Sequence, residues 1–140
     1  MATKLKLEDS CLTIEQAKKL KKLGFDLKDT IMVYCNFNDQ NNDYKLMINH
    51  DVAELGACEV IPTLTNTEMI DMLPSEIKTE LGNAIFKISK YSNDDEFKDI
   101  KYYVSYEIYI KDTVCYKAYF KPLLRDTLFE MIKIHYYNDE

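Results

Sequence analysis

His50 and Asp51 are adjacent in the chain, and Glu54 follows three residues later. An imidazole with two carboxylates at that spacing can hold a divalent cation or accept a proton as a general base. Cys58 comes four residues further on, and a thiol near an imidazole is the elementary pair of cysteine-nucleophile chemistry. This is the one cluster in the sequence with ligand-like or acid–base character. The second histidine, His135, falls on a helical stripe, where a ring with one edge buried and one nitrogen hydrogen-bonded is the ordinary state. No HxH or HExxH spacing occurs, no GxSxG elbow, and three glycines are too few for a phosphate-cradling loop. The balance goes against catalysis, and no cofactor is expected. A small metal-assisted hydrolase centred on His50, Asp51 and Glu54 is the alternative reading.

Contact chemistry is better represented. Tyr103, Tyr109 and Tyr119 fall on strand faces opposite the strongly apolar sets. Tyrosine supplies a large, rigid, amphipathic surface, so these three are the expected partner-binding residues. Beneath a covering helix they would be core instead. Asp94, Asp95 and Glu96, with Glu107 and Asp112, would form a negative patch for a basic partner, the plainer reading being a solvated surface.

Composition sets the frame for both. A chain of 140 residues suits one domain, 1–140, with flexible ends at 1–10 and 138–140. Net charge is −6, divided unevenly. Residues 1–28 carry seven lysines against four acids, and the remainder eleven bases against twenty acids. That disfavours nucleic acid as a partner, since phosphate contacts need a broad cationic face; the small face of Lys18, Lys19 and Lys22 ranks last. No apolar run approaches a membrane span and MATKLKLEDS lacks a signal-type apolar core, so the expected setting is cytoplasmic, away from membranes. Cys11, Cys35, Cys58 and Cys115 form no CxxC pair and read as reduced, structural thiols.

The elements that must position these groups follow from periodicity. Thr13 with Gln16 gives a capping box, Ile14, Ala17, Leu20 and Leu23 an apolar stripe, and Gly24 a stop. Thr30–Phe37 alternates Ile31, Val33, Cys35 and Phe37 on one side, and Tyr44–His50 reads as its antiparallel neighbour. Span 51–61 has no clear pattern beyond a short extended piece. Thr65 and Glu68 repeat the capping-box spacing, and Pro74 ends that helix after two turns, a scaffold unless Thr63, Asn66 or Asp71 stands exposed around a concavity. Glu76–Leu81 and Ala84–Tyr91 flank a turn at Gly82–Asn83. Strands over 100–110 and 113–120 follow, and Pro122 opens a helix to about Tyr137 with Leu124, Leu128, Met131 and His135 along its stripe. The expected fold is α+β: an antiparallel sheet of five to six strands, three helices over one face, in the order α-β-β-α-β-β-β-β-α.

Three separated blocks carry a family likeness: Cys11–Asp26, Ile61–Thr65 leading to Met72–Pro74, and Leu124–Met131. Together they resemble small proteins of gut bacteria, of Bacteroidetes type, encoded mainly in prophages and other mobile elements. Chains of that group carry tryptophans in the sheet and last helix, whereas this one has none. The resemblance implies no catalytic residue. The expectation is a non-catalytic intracellular protein-interaction module with an accessory or host-modulating role, its partner an unknown protein and a homodimer a further option.

Overall fold

A computed structural model describes residues 6–38, 42–49, 56–57, 59–90, 102–109 and 113–137, and everything structural below concerns these; the side chains of 109, 113–117 and 120 are outside it. The chain divides into two compact units, Met1–Glu68 and Met69–Glu140. The fold is α+β with three α-helices and two antiparallel sheets. The single sheet of five or six strands expected from the sequence is thus corrected to one of three strands and one of four. Of the expected flexible ends, 1–5 and 138–140 lie outside the described residues, and Leu7–Ser10 forms a 3-10 turn.

In the first unit, α1 (Ile14–Lys22) begins with the reciprocal cap read from its sequence: Gln16 N–H donates to Thr13 Oγ1 at 3.1 Å and Thr13 N–H to Gln16 Oε1 at 2.9 Å. Gly24, at φ 106°, turns the chain out of the helix, and Phe25 N–H donates back to the Leu20 carbonyl. Beneath α1 lies a sheet in the order β2-β1-β3, built from β1 (Met32–Asn36), β2 (Lys45–Ile48) and β3 (Glu59–Thr63). Tyr34 stands between Leu46 and Ile61 in register, and this row packs with Ala17 and Ile14 of α1. The other face holds Val33 and Cys35 against Met47 and Ala57. All five residues of β1 are buried. The expected one-sided apolar strand is therefore covered on both faces, while Ile31 and Phe37, its outermost members in sequence, are exposed.

The strand pairing that sequence reasoning missed is that of β3 with β1. Its Pro62 sits opposite Val33; a proline cannot donate to a ladder, and is tolerated here because β3 is an edge strand. After it, α2 (Asn66–Met72) carries the second capping box, Glu68 N–H donating to Thr65 Oγ1 and Thr65 N–H to Glu68 Oε1.

The second unit is a meander in the order β4-β5-β6-β7, comprising β4 (Glu76–Thr79), β5 (Gly82–Lys90), β6 (Tyr102–Tyr109) and β7 (Thr113–Lys121), followed by α3 (Leu124–Tyr137). Thr79 pairs with Gly82, so the hairpin loop is Glu80–Leu81, two residues earlier than the Gly82–Asn83 turn expected. Gly82 closes it at φ 133°, a conformation side-chain-bearing residues rarely adopt. Opposite Glu107, β7 carries an extra residue that shifts its register. The core of this unit gathers Val104, Tyr106 and Ile108 with Leu128, Met131 and Ile132 of α3, each nearly or wholly buried. Burying a side chain of that size contributes roughly 1.5–3 kcal/mol.

Candidate functional site

His50, Asp51, Glu54 and Cys58 lie outside the described residues, as do Asp94, Asp95, Glu96 and Asp112. The strand that leads into His50 is anchored directly before it. Asn49 N–H donates to the Ile31 carbonyl at 2.8 Å, and its side-chain amide to the Thr30 carbonyl at 2.8 Å. Among the described residues, no group of three His, Cys, Asp or Glu side chains could hold a metal ion.

Tyrosines expected to share in partner contact are separated by the sheet. Tyr103 stands opposite Phe120, whereas Tyr119 stands opposite Val104, so they occupy different faces of the β6–β7 pair. Both are half-buried. Burial, with the Glu130 carboxylate of α3 beside it, raises the Tyr119 hydroxyl above the usual phenol range. Tyr119 is therefore on the side that α3 covers. The backbone of Tyr109 ends β6, and its side chain is outside the described residues.

Glu107, read from sequence as part of a surface acidic patch, is buried; this corrects that expectation. Ser105 Oγ donates to Glu107 Oε2 at 2.6 Å, and Lys87 Nζ lies 4.0 Å from the same oxygen. Residues 104–108 of β6 are all buried, so both faces of the strand are covered there, which alternation along one strand does not reveal. A buried carboxylate supplied with a hydroxyl and a nearby ammonium is a satisfied structural group.

His135 also has a structural setting. Its ring stacks on Tyr106 at 6.3 Å between centroids and 24° between planes, and meets Tyr136 edge-on at 4.7 Å. Tyr106 in turn contacts Phe86 at 5.4 Å and donates its hydroxyl to the Pro74 carbonyl at 2.6 Å. Tyr136 donates to the Met72 carbonyl. Both bonds lie within the second unit. In the opening of α2, Thr63 is buried with its hydroxyl on the Leu12 carbonyl, Asn66 is half-buried, and Asp71 alone of the three is exposed.

What remains is an apolar surface. Ile31, Phe37 and Val60 are 54%, 40% and 42% exposed, beside a strand whose five residues are all buried. Val60 stands opposite Cys35, on the sheet face away from α1, while Ile31 and Phe37 flank β1 at its two ends. Cys35 in β1 is a thiol outside any disulfide, raised by burial above its usual range, and Cys11 is likewise a buried thiol outside any disulfide. Neither is poised for nucleophilic work. At the β4–β5 turn, an open depression of about 680 Å³ is lined by Lys78, Thr79, Glu80, Leu81 and Ile108, with no cysteine, serine or imidazole among them.

The chain matches no protein-family model, no curated protein and no solved structure. No helix among the described residues is long and apolar enough to cross a membrane.

Proposed function

We propose that this chain is a non-catalytic protein-interaction module of the cell interior, working through Ile31, Phe37 and Val60, the exposed rim of the three-stranded sheet's face away from α1, whose centre is itself buried. One observation supports the reading above others: Ile31, Phe37 and Val60 stay exposed around a strand whose five residues are all buried. Exposed apolar side chains around one sheet favour contact over chemistry where a partner covers them together. The charged residues that would activate a substrate are, where described, either solvated or bonded as structural groups. The likeness to mobile-element proteins extends the proposal to an accessory role directed at a host protein. The tyrosine surface first expected has weaker support, because Tyr103 and Tyr119 face opposite ways.

Affinity capture from the native host with the wild-type chain and an Ile31→Asp/Phe37→Asp/Val60→Asp variant tests this. The wild type retains a specific protein and the variant, folded by circular dichroism, loses it. Equal retention by both removes the surface from the proposal. A thermal-shift screen of divalent ions addresses the hydrolase alternative: saturable stabilisation abolished by His50→Ala would replace the binding reading with a metal site.

A further inference from the structure

Each sheet leaves two edge strands, and these differ in what they could pair with. β2 and β7 carry lysines and no acid, and β3 carries Glu59 and the ladder-breaking Pro62. β4 alone has both signs, as Glu76-Ile77-Lys78, and both charged side chains are exposed. It ends the four-stranded sheet, paired only with β5 among the described residues.

The direction of its main-chain groups follows from the ladder. Phe86 N–H donates to the Ser75 carbonyl at 2.9 Å, and Thr79 pairs with Gly82 across the two-residue loop. Hydrogen-bonding direction alternates along an antiparallel strand, so Ser75, Ile77 and Thr79 turn their N–H and C=O toward β5. Those of Glu76 and Lys78 point to the open edge. Such an edge is a template for another strand.

We propose that two copies of this chain associate through β4, edge to edge and antiparallel, with Glu76 of each copy opposite Lys78 of the other. The pairing joins two four-stranded sheets into one continuous sheet about a two-fold axis. It is selected against its neighbours by charge. Outward-pointing residues must meet outward-pointing residues, so register can change only in steps that keep this match. Centred on Ile77, the pairing sets Glu76 against Lys78 twice and Ile77 against its counterpart. One step toward the N-terminus sets Glu76 against Glu76; one step the other way sets Lys78 against Lys78 and Glu76 against Glu80. Opposite charges directly across a ladder stabilise it and like charges destabilise it. The strand is held ready for this, since the Tyr106 hydroxyl fixes the Pro74 carbonyl just before it. Leu81, 65% exposed at the tip of the loop, comes beside the Pro74 end of the second copy. This surface belongs to the second unit and is separate from the sheet face proposed above for a partner protein.

Sedimentation velocity of the full chain over a range of concentrations is the test. The wild type moves from 16.5 kDa toward twice that mass. Glu76→Lys and Lys78→Glu, each alone, weaken self-association by about tenfold or more, because each leaves only like charges in register. An equimolar mixture of the two single variants associates, since one chain then carries two lysines and the other two glutamates. The Glu76→Lys/Lys78→Glu double variant also self-associates, and controls for any loss of folding caused by the substitutions. A wild type that stays at 16.5 kDa, single variants that pair as well as it does, or a mixture that remains monomeric would each overturn the proposal.

Discussion

The hydroxyl of Tyr34 in β1 donates to the main-chain carbonyl of Leu12 at 2.8 Å, and both groups are buried. Leu12 precedes α1, so this bond fastens the chain entering the helix to the central strand beneath it. Thr63 at the end of β3 donates to the same oxygen at 2.9 Å. One carbonyl with two lone pairs thus gathers three elements at a single point.

That shared acceptor gives a non-additive pair. Tyr34→Phe or Thr63→Val alone removes one donor and leaves the carbonyl satisfied, at a cost of about 1 kcal/mol. The double variant leaves a buried carbonyl unpaired and should lose roughly 1–2 kcal/mol beyond the sum of the singles. Urea unfolding of the four proteins measures the coupling; strict additivity would mean that the two hydroxyls act independently.

Tyr106 should make the fold sensitive to alkali. Burial, and then the neighbouring Tyr136, push its hydroxyl well above the ordinary phenol value of about 10. The folded chain therefore keeps this proton at a pH where the unfolded chain releases it. Its contribution is complete below about pH 10 and is lost as pH rises toward the folded value. Tyr106→Phe forfeits the bond to Pro74, about 1 kcal/mol at neutral pH, but removes the dependence. The gap between wild type and variant should narrow between pH 7 and about pH 11, read from unfolding midpoints; a constant gap contradicts the assignment.

Glu68 carries two duties. Its Oε1 accepts from Thr65, closing the cap of α2, and its Oε2 accepts from Ile31 N–H at 3.0 Å. Thr65→Ala removes only capping and should cost about 1 kcal/mol. Glu68→Ala removes capping and the tie to the start of β1, and should cost about 1 kcal/mol more. Thermal unfolding that ranks Thr65→Ala as the more damaging change would refute the second duty.

Much of the local structure was legible in the sequence because caps and periodicity are local signals. Thr13 with Gln16, Thr65 with Glu68, and the alternation through 102–109 each specify an element within a few residues. β3 was hidden by Pro62, since a proline inside an apolar run speaks against a strand unless the strand is known to be an edge. Division into two sheets was hidden for another reason: period-two alternation says which face a residue takes but not which strand lies beside it.

The candidate site was legible least. Glu107 alternates with apolar neighbours just as a solvated acid would, yet both faces of β6 are buried at that point. Ile31 and Phe37 continue the pattern of Val33 and Cys35, yet β1 stops at Met32 and Asn36 and leaves them outside. Tyr119 follows the alternation of β7 until the extra residue near Glu107 resets the strand against its neighbour. Single-strand pattern cannot foresee a shift that exists only between two strands.

β1 has β2 on one edge and β3 on the other, α1 over one face, and on the other face its own Val33 and Cys35 are wholly buried. Opening any one of its amides to solvent requires undoing a neighbour first, so in deuterium these five residues define the slowest-exchanging segment of the first unit. A partner of the kind proposed would therefore seat on the exposed side chains at the ends of a strand whose buried middle does not yield.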